Sequence, residues 1–205
     1  MANRFAKPLV ILMAAVAMSS VGMVVWHRWV PVHVTTLMLI RKAEAREQGM
    51  DLTIRRQWVP IEDISPELVA SVINSEDAHF YEHNGFDLWA IQKAANMNRC
   101  YGYIVCGGSS ISQQTAKNVF CTPSRTFLRK AVEAYFTMLI ELVWGKQRIM
   151  EVYLNVIEWG DGIFGIEAAA QYYYHHSARQ LSAEEIDYLV SLIPNPRGHG
   201  NIYAR

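Results

Sequence analysis

The chain has 205 residues, 51% of them hydrophobic, with 19 basic and 19 acidic side chains. That suits one medium domain with an appendage. The zero formal charge excludes a nucleic-acid partner, which would need a basic excess against phosphates.

In chain order, residues 8–26 carry no charged side chain. As a helix they rise about 28 Å, enough to cross a hydrocarbon core. Arg4 and Lys7 precede them, which places the N-terminus on the cytoplasmic side, although Arg28 just beyond weakens the asymmetry. Trp26 and Trp29 suit the outer interface. A cleaved signal peptide is the rival, with Ala15-Val16-Ala17 as its cleavage site, but the apolar stretch is long for a signal core. The expected organisation is a cytoplasmic tip and transmembrane anchor over 1–30, then one extracytoplasmic domain over 31–205.

Residues 30–40 are apolar and too short to span again; they lie against the membrane surface, the favoured reading, or in the core. The best strand candidate is 52–59. Ser65-Pro66-Glu67 supplies an N-cap, an N1 proline and a first-turn acid for a helix to about Ala78. Asp87 caps a second helix with Leu88, Ile91 and Ala95 on its apolar side. A third covers about 112–120. The longest after the anchor runs over 125–144 and ends at Gly145 in the C′ position. Helices over 146–159 and 163–175 follow, separated by Gly160-Asp161-Gly162. Ser182 and Glu185 form a capping box for a last helix, stopped by Pro194. The expected class is mainly α, in one domain.

Glu76 follows Val69, Val72 and Ile73 at helical spacing, so its carboxylate emerges on an apolar face. Desolvation there would suit a general base; a solvated terminal Glu, or one paired with His79, is the alternative. Glu133 lies in a run, 131–144, that is apolar nearly all round, so it must be paired or functional. Arg129 stands four residues before it as an ion-pair partner. Lys117, Arg125, Arg129 and Lys130 cluster, while no Asp or Glu occurs between Asp87 and Glu133. With Gly107-Gly108-Ser109-Ser110 leading into a helix, backbone N–H groups and cations point to phosphate or pyrophosphate; a solvated basic face is the alternative. The pattern is not a Walker loop, the serines lack a triad context, and His175-His176 are assigned to the surface. Cys100, Cys106 and Cys121 have no metal-ligand spacing; a Cys100–Cys106 disulfide and free thiols both stand open. No cofactor or metal site is evident.

Four ordered signatures carry a resemblance. They are Glu76-Asp77-x-x-Phe80-x-x-His83-x-Gly85; Gly107-Gly108-Ser109-Ser110-Ile111-Ser112-Gln113-Gln114-x-x-Lys117-Asn118; Arg129-Lys130-x-x-Glu133 with Arg125 before it; and Lys146-x-x-Ile149-x-Glu151-x-Tyr153-Leu154-Asn155. From roughly Leu37 to Pro196 the chain resembles the peptidoglycan glycosyltransferases of glycosyltransferase family 51, in their membrane-anchored monofunctional form. The resemblance implies a mainly α, lysozyme-like fold with a large lobe and a small membrane-facing jaw. It also implies polymerisation of lipid II at the outer face of the inner membrane, in cell-wall biogenesis and cell shape.

By that resemblance Glu76 is the base and Glu133 the second essential acid. Lys117 and Arg125 contact pyrophosphate, joined in ligand binding or cleft shaping by Ser109, Ser110, Gln113, Gln114 and Lys146. Asp77, Phe80, His83, Gly85, Asn118, Arg129 and Glu151 support them. A divalent cation (Mg2+ or Mn2+) is implied, as are lipid II, the nascent glycan and membrane lipid as partners, along with other wall-synthesis and division proteins. Family members continue past Pro196 into a further helical segment, so the chain reads as short at its C-terminus. A lysozyme-type hydrolase and a non-enzymatic scaffold are the competing functions.

Overall fold

The computed structural model describes residues 3–103, 105, 107–124 and 126–199. It is mainly α, as expected, and its elements follow from local chemistry. Helix α1 (Asn3–His27) contains an apolar span, Val10–His27, with a mean hydropathy of 1.9 and almost no burial. Helix α2 (Thr36–Glu47) is capped by the Thr35 side chain, which accepts from the Met38 N–H. The segment before it is two-sided: Val32, Thr35 and Met38 are buried while Val34 and Leu39 are exposed. Of the two placements open for 30–40, the core takes Val32, Thr35 and Met38, spaced three apart, while Val34 and Leu39 stay on the surface.

Helix α3 (Pro66–Glu76) starts at the Ser65 cap and stops at Glu76, two residues earlier than the sequence suggests. Asp77 leaves the helical region with φ −162°, drawn out by its own hydrogen bonds. Helix α4 (Leu88–Tyr101) is capped by Asp87, and α5 (Ile111–Phe120) by a capping box of Ser110 and Gln113. Helix α6 (Phe127–Val143) ends before Gly145, whose φ of +76° a residue with a Cβ would resist.

Helix α7 (Lys146–Val156) is shorter than expected, because β2 (Glu158–Gly160) and β3 (Ile163–Phe164) replace its end and the start of the next helix. The glycine-rich turn therefore joins two antiparallel strands, with Gly162 at φ +71°. The apolar run misled the helical reading: a fully buried strand has no alternation to distinguish it. Strand β1 (Arg55–Arg56), the short remnant of the 52–59 candidate, pairs in parallel with β3, giving the order β1-β3-β2. Helices α8 (Ile166–Tyr174), α9 (Ala183–Leu192) and α10 (Pro196–His199) complete the chain.

Helix α5 is the pivot of the packing, lying against both α6 and α7. Ile111 and Ala116 of α5 are fully buried, with Ile140 from α6 and Ile149, Tyr153 and Leu154 from α7. Helix α1 docks on α6, the two running in the same direction. Ser20 Oγ meets Tyr135 Oη at 2.8 Å, Trp144 Nε1 donates to the Val24 carbonyl at 2.7 Å, and Arg28 donates to the Val143 carbonyl. Arg148 of α7 closes the end of α1, donating to the carbonyls of His27 and Val30 at 2.9 Å each.

Candidate active site

The loop after α3 and the start of α5 are welded by one carboxylate. Asp77, 6% exposed, accepts from the Ile111 N–H at 2.9 Å and from His83 Nε2 at 2.9 Å. The Gly85 N–H donates to His83 Nδ1, which leaves the proton of the neutral ring on Nε2, facing Asp77. Ser110 Oγ donates to the Gly85 carbonyl, and Gln113 accepts from the Ser110 N–H. Gly85 has φ +94°, and a Cβ there would lie 2.8 Å from Thr137 Cγ2.

These contacts correct one expectation. The first amides of α5 are not open to an anion, because Asp77 and Ser110 take the Ile111 and Gln113 N–H groups. Gly108 is small for a different reason: a Cβ would lie 2.8 Å from Ile91 Cα, so the glycine permits α4 to approach. Gln113 and Ser110, grouped with ligand-facing residues on sequence, are 3% and 2% exposed and committed to the cap. Any anion is left to the side-chain cations.

Glu76 stands at the C-terminal end of α3, half-buried. Its Oε2 accepts from Gln114 Nε2 at 2.8 Å, and no described residue bonds its Oε1. Gln114 is oriented by Tyr153, whose hydroxyl donates to Oε1 of the amide at 3.4 Å. Burial holds the Tyr153 phenol well above its ordinary pKa, so it remains a donor. The alternative pairing of Glu76 with His79 does not occur; His79 bonds Asp87 at 2.9 Å.

Lys117 lies one turn beyond Gln114 on the same face of α5. Burial pushes its ammonium pKa down; Glu133 and Glu76 pull it up, while Arg129 and Lys130 oppose them. Among the described residues it has no ion-pair or hydrogen-bond partner. Glu133, 2% exposed, is engaged by both Arg129 and Lys130, and Lys130 Nζ reaches Ser109 Oγ at 3.4 Å. Arg125 lies outside the described residues, as does Cys106 and with it the Cys100–Cys106 pairing.

The remaining sequence candidates brace the frame. Lys146 pairs with Glu141 at 2.6 Å and sits 4.6 Å from the centroid of the buried Phe80 ring, rather than standing open to a ligand. Glu141 also accepts from Ser112. Glu151 pairs with Arg148. Asn118 lines a cavity of about 340 Å3 with Lys117, Arg129, Arg41, Leu37 and Cys121.

A second cavity of about 400 Å3 lies at Glu76, walled by His79, Asp87, Trp89, Lys93 and Ser109. Trp89, Lys93 and Asp87 in its pairing role carried no signal in the sequence beyond ordinary helix composition, and the signatures containing Gln114 and Tyr153 gave no sign of the contact between them. For the divalent cation implied by the resemblance, both Glu133 oxygens are already taken by Arg129 and Lys130, and no group of three His, Cys, Asp or Glu that could hold a metal ion forms among the described residues.

The arrangement offers a proton acceptor with one oxygen free among the described residues, and an unpaired, partly desolvated cation one turn along α5 from the Gln114 that bonds it. A family model described as Transglycosylase matches residues 44–203. A biosynthetic peptidoglycan transglycosylase of Dechloromonas aromatica is 49% identical over 176 residues, 86% of this chain and 76% of the relative. One of Bdellovibrio bacteriovorus is 48% identical, covering 87% and 71%. One of Rhodospirillum centenum is 46% identical, covering 96% and 83%.

Proposed function

The chain belongs to the peptidoglycan transglycosylase family, and from that premise we propose that it polymerises lipid II with Glu76 as general base and Lys117 at the pyrophosphate. It is a glycosyltransferase. Glu76 Oε1 takes the proton from the acceptor's 4-hydroxyl as that oxygen bonds to the donor's anomeric carbon. The bond from that carbon to the pyrophosphate oxygen breaks, the configuration inverts, and undecaprenyl pyrophosphate leaves with the bonding pair.

The observation that carries this reading is the single face of α5 that ties both groups together: Gln114 bonds Glu76, and Lys117 follows one turn later. Charge building on the leaving group meets an ammonium that has no internal partner among the described residues, so little reorganisation opposes the interaction. Arg129 and Lys130, paired through Glu133, add positive potential while the buried acid fixes their positions. Glu133 thus acts as a holder of cations.

We place α1 across the inner membrane with the catalytic domain outside. Ser20 lies roughly 10 Å down the helix from His27, and its contact with Tyr135 draws α6 to that depth. The exposed Phe127, Leu128, Met138 and Leu142 of α6 then meet hydrocarbon. A substrate held in the bilayer by its polyprenyl tail is thereby presented to Lys117 from below.

Incubation of the full chain with labelled lipid II, read as polymer on a gel, tests the reading. Glu76→Gln keeps an oxygen for Gln114, and its rate is expected to fall at least about 100-fold. An undiminished rate removes Glu76 from the role. Release of fragments from finished glycan without polymer formation overturns the polymerase reading in favour of a hydrolase.

A further inference from the structure

The cavity of about 400 Å3 is lined in part by signature residues, Glu76, Asp77 and 107–110, but its wall on α4 lies outside the four signatures. It shares Glu76 with the proposed reaction centre, yet Lys117 and Arg129 line the other cavity. Its wall on α4 is Trp89, 60% exposed, with Lys93 one turn on. Lys93 Nζ sits 4.9 Å from the indole centroid, and no carboxylate pairs with it among the described residues. His79 meets the same indole edge-on at 5.4 Å and is itself tied to Asp87. The Asp87 cap and the close seat of Gly108 under Ile91 fix α4 against the loop that carries Glu76.

The charges in this cavity favour one ligand class. Glu76, Asp77 and Asp87 line it, which disfavours a multiply charged pyrophosphate, while Lys93 on the exposed wall can offset one negative charge only. An aromatic face attracts the electropositive C–H face of a sugar ring, as its quadrupole attracts cations. One unpaired ammonium beside that face suits a single carboxylate. We propose that this cavity binds the peptide-bearing part of the glycan, Trp89 stacking on a sugar ring and Lys93 taking a stem-peptide carboxylate. The proposal rests on the polymerase reading and extends it to how the substrate's acidic peptide is recognised.

The test uses the full chain in lipid vesicles with two forms of lipid II, one with free stem carboxylates and one with those carboxylates amidated. Because Lys93 is exposed, its contribution is that of a surface charge pair, about twofold to fivefold in KM. Lys93→Ala is expected to raise KM by that factor for the free-carboxylate form only, with kcat unchanged. Lys93→Arg is expected to retain the discrimination. Trp89→Ala is expected to raise KM for both forms, and Trp89→Phe to recover most of the loss; melting temperatures of all four variants separate these effects from unfolding. Equal KM changes for both forms in Lys93→Ala, or none in either, overturn the carboxylate site. An unchanged KM in Trp89→Ala overturns the platform. If the unaltered protein makes no polymer from either form, the function reading falls and this site with it; polymer without discrimination sinks the site alone.

Discussion

Lys117 is a cation held at a cost. Burial disfavours its charged form, and the two acids near it do not fully offset that. A base whose pKa is lowered by folding binds its proton more tightly in the unfolded chain. Stability should therefore rise as pH climbs from the lowered value towards the ordinary lysine range, and the penalty is fully present below the lowered value. Lys117→Met removes the penalty while keeping the stem. The expected outcome is an unchanged or slightly higher melting temperature, together with loss of polymerisation of about 100-fold or more. Calorimetry and the gel assay on one preparation check both halves; a large drop in melting temperature would make Lys117 a structural residue. The neighbouring Glu133 is the opposite case. Its charge is compensated by Arg129 and Lys130, so removing it leaves a half-buried Arg129 and an exposed Lys130 without the carboxylate they share.

At the scale of elements, helix caps connect the sequence to the site. Asp87 both caps α4, through the Ala90 N–H at 2.8 Å, and holds His79. Burial pushes the Asp87 pKa up, but the Ala90 N–H and His79 outweigh it and the net shift is downward. The hydrogen bond to Asp87 raises His79. The sign for each follows. The Asp87 contribution is present above the ordinary carboxylate range and lost as pH falls through its lowered value. The His79 contribution is present below the ordinary imidazole range and lost as pH rises through its raised value. The pair is strongest between these ranges, from about 4 to about 6.5. Asp87→Asn keeps the cap, so its stability deficit should be largest in that window and shrink on either side. Asp87→Ala also loses the cap, adding about 1 kcal/mol at every pH. Urea titrations at three pH values check this; a deficit for Asp87→Asn that is flat with pH would remove the ion pair from the account.

For the whole molecule, α1 and the domain form one packed unit in which α1 leans on α6 and Arg148 closes its C-terminal end. The apolar face of α6 is 98% exposed at Phe127 and 83% at Leu142. Water-exposed, it would be an aggregation liability; in the bilayer it is a second attachment. Phe127→Glu with Leu142→Glu should reduce polymerisation in vesicles several-fold while leaving the detergent-solubilised enzyme close to its normal rate. Assays in both media check this, and an equal loss in both would mean the face serves the fold instead.

The sequence by itself determined what depends on neighbours along the chain: the apolar span of α1, the caps at Ser65, Asp87, Ser110 and Ser182, the glycine after α6, and the order of signatures by which the family is recognised. Those features are set within a turn or two of helix, where residue type and spacing decide the outcome. Tertiary structure alone decided what depends on remote approach. It closed the α5 amides with Asp77, made Gly108 a seat for Ile91, turned Gly160–Gly162 into a strand connection, and diverted Lys146 to Glu141. Such contacts leave no periodic trace, whether the partners lie tens of residues apart, as Asp77 and Ile111 do, or only five apart across a turn between helices, as Glu141 and Lys146 do, because each is chosen by how whole elements pack.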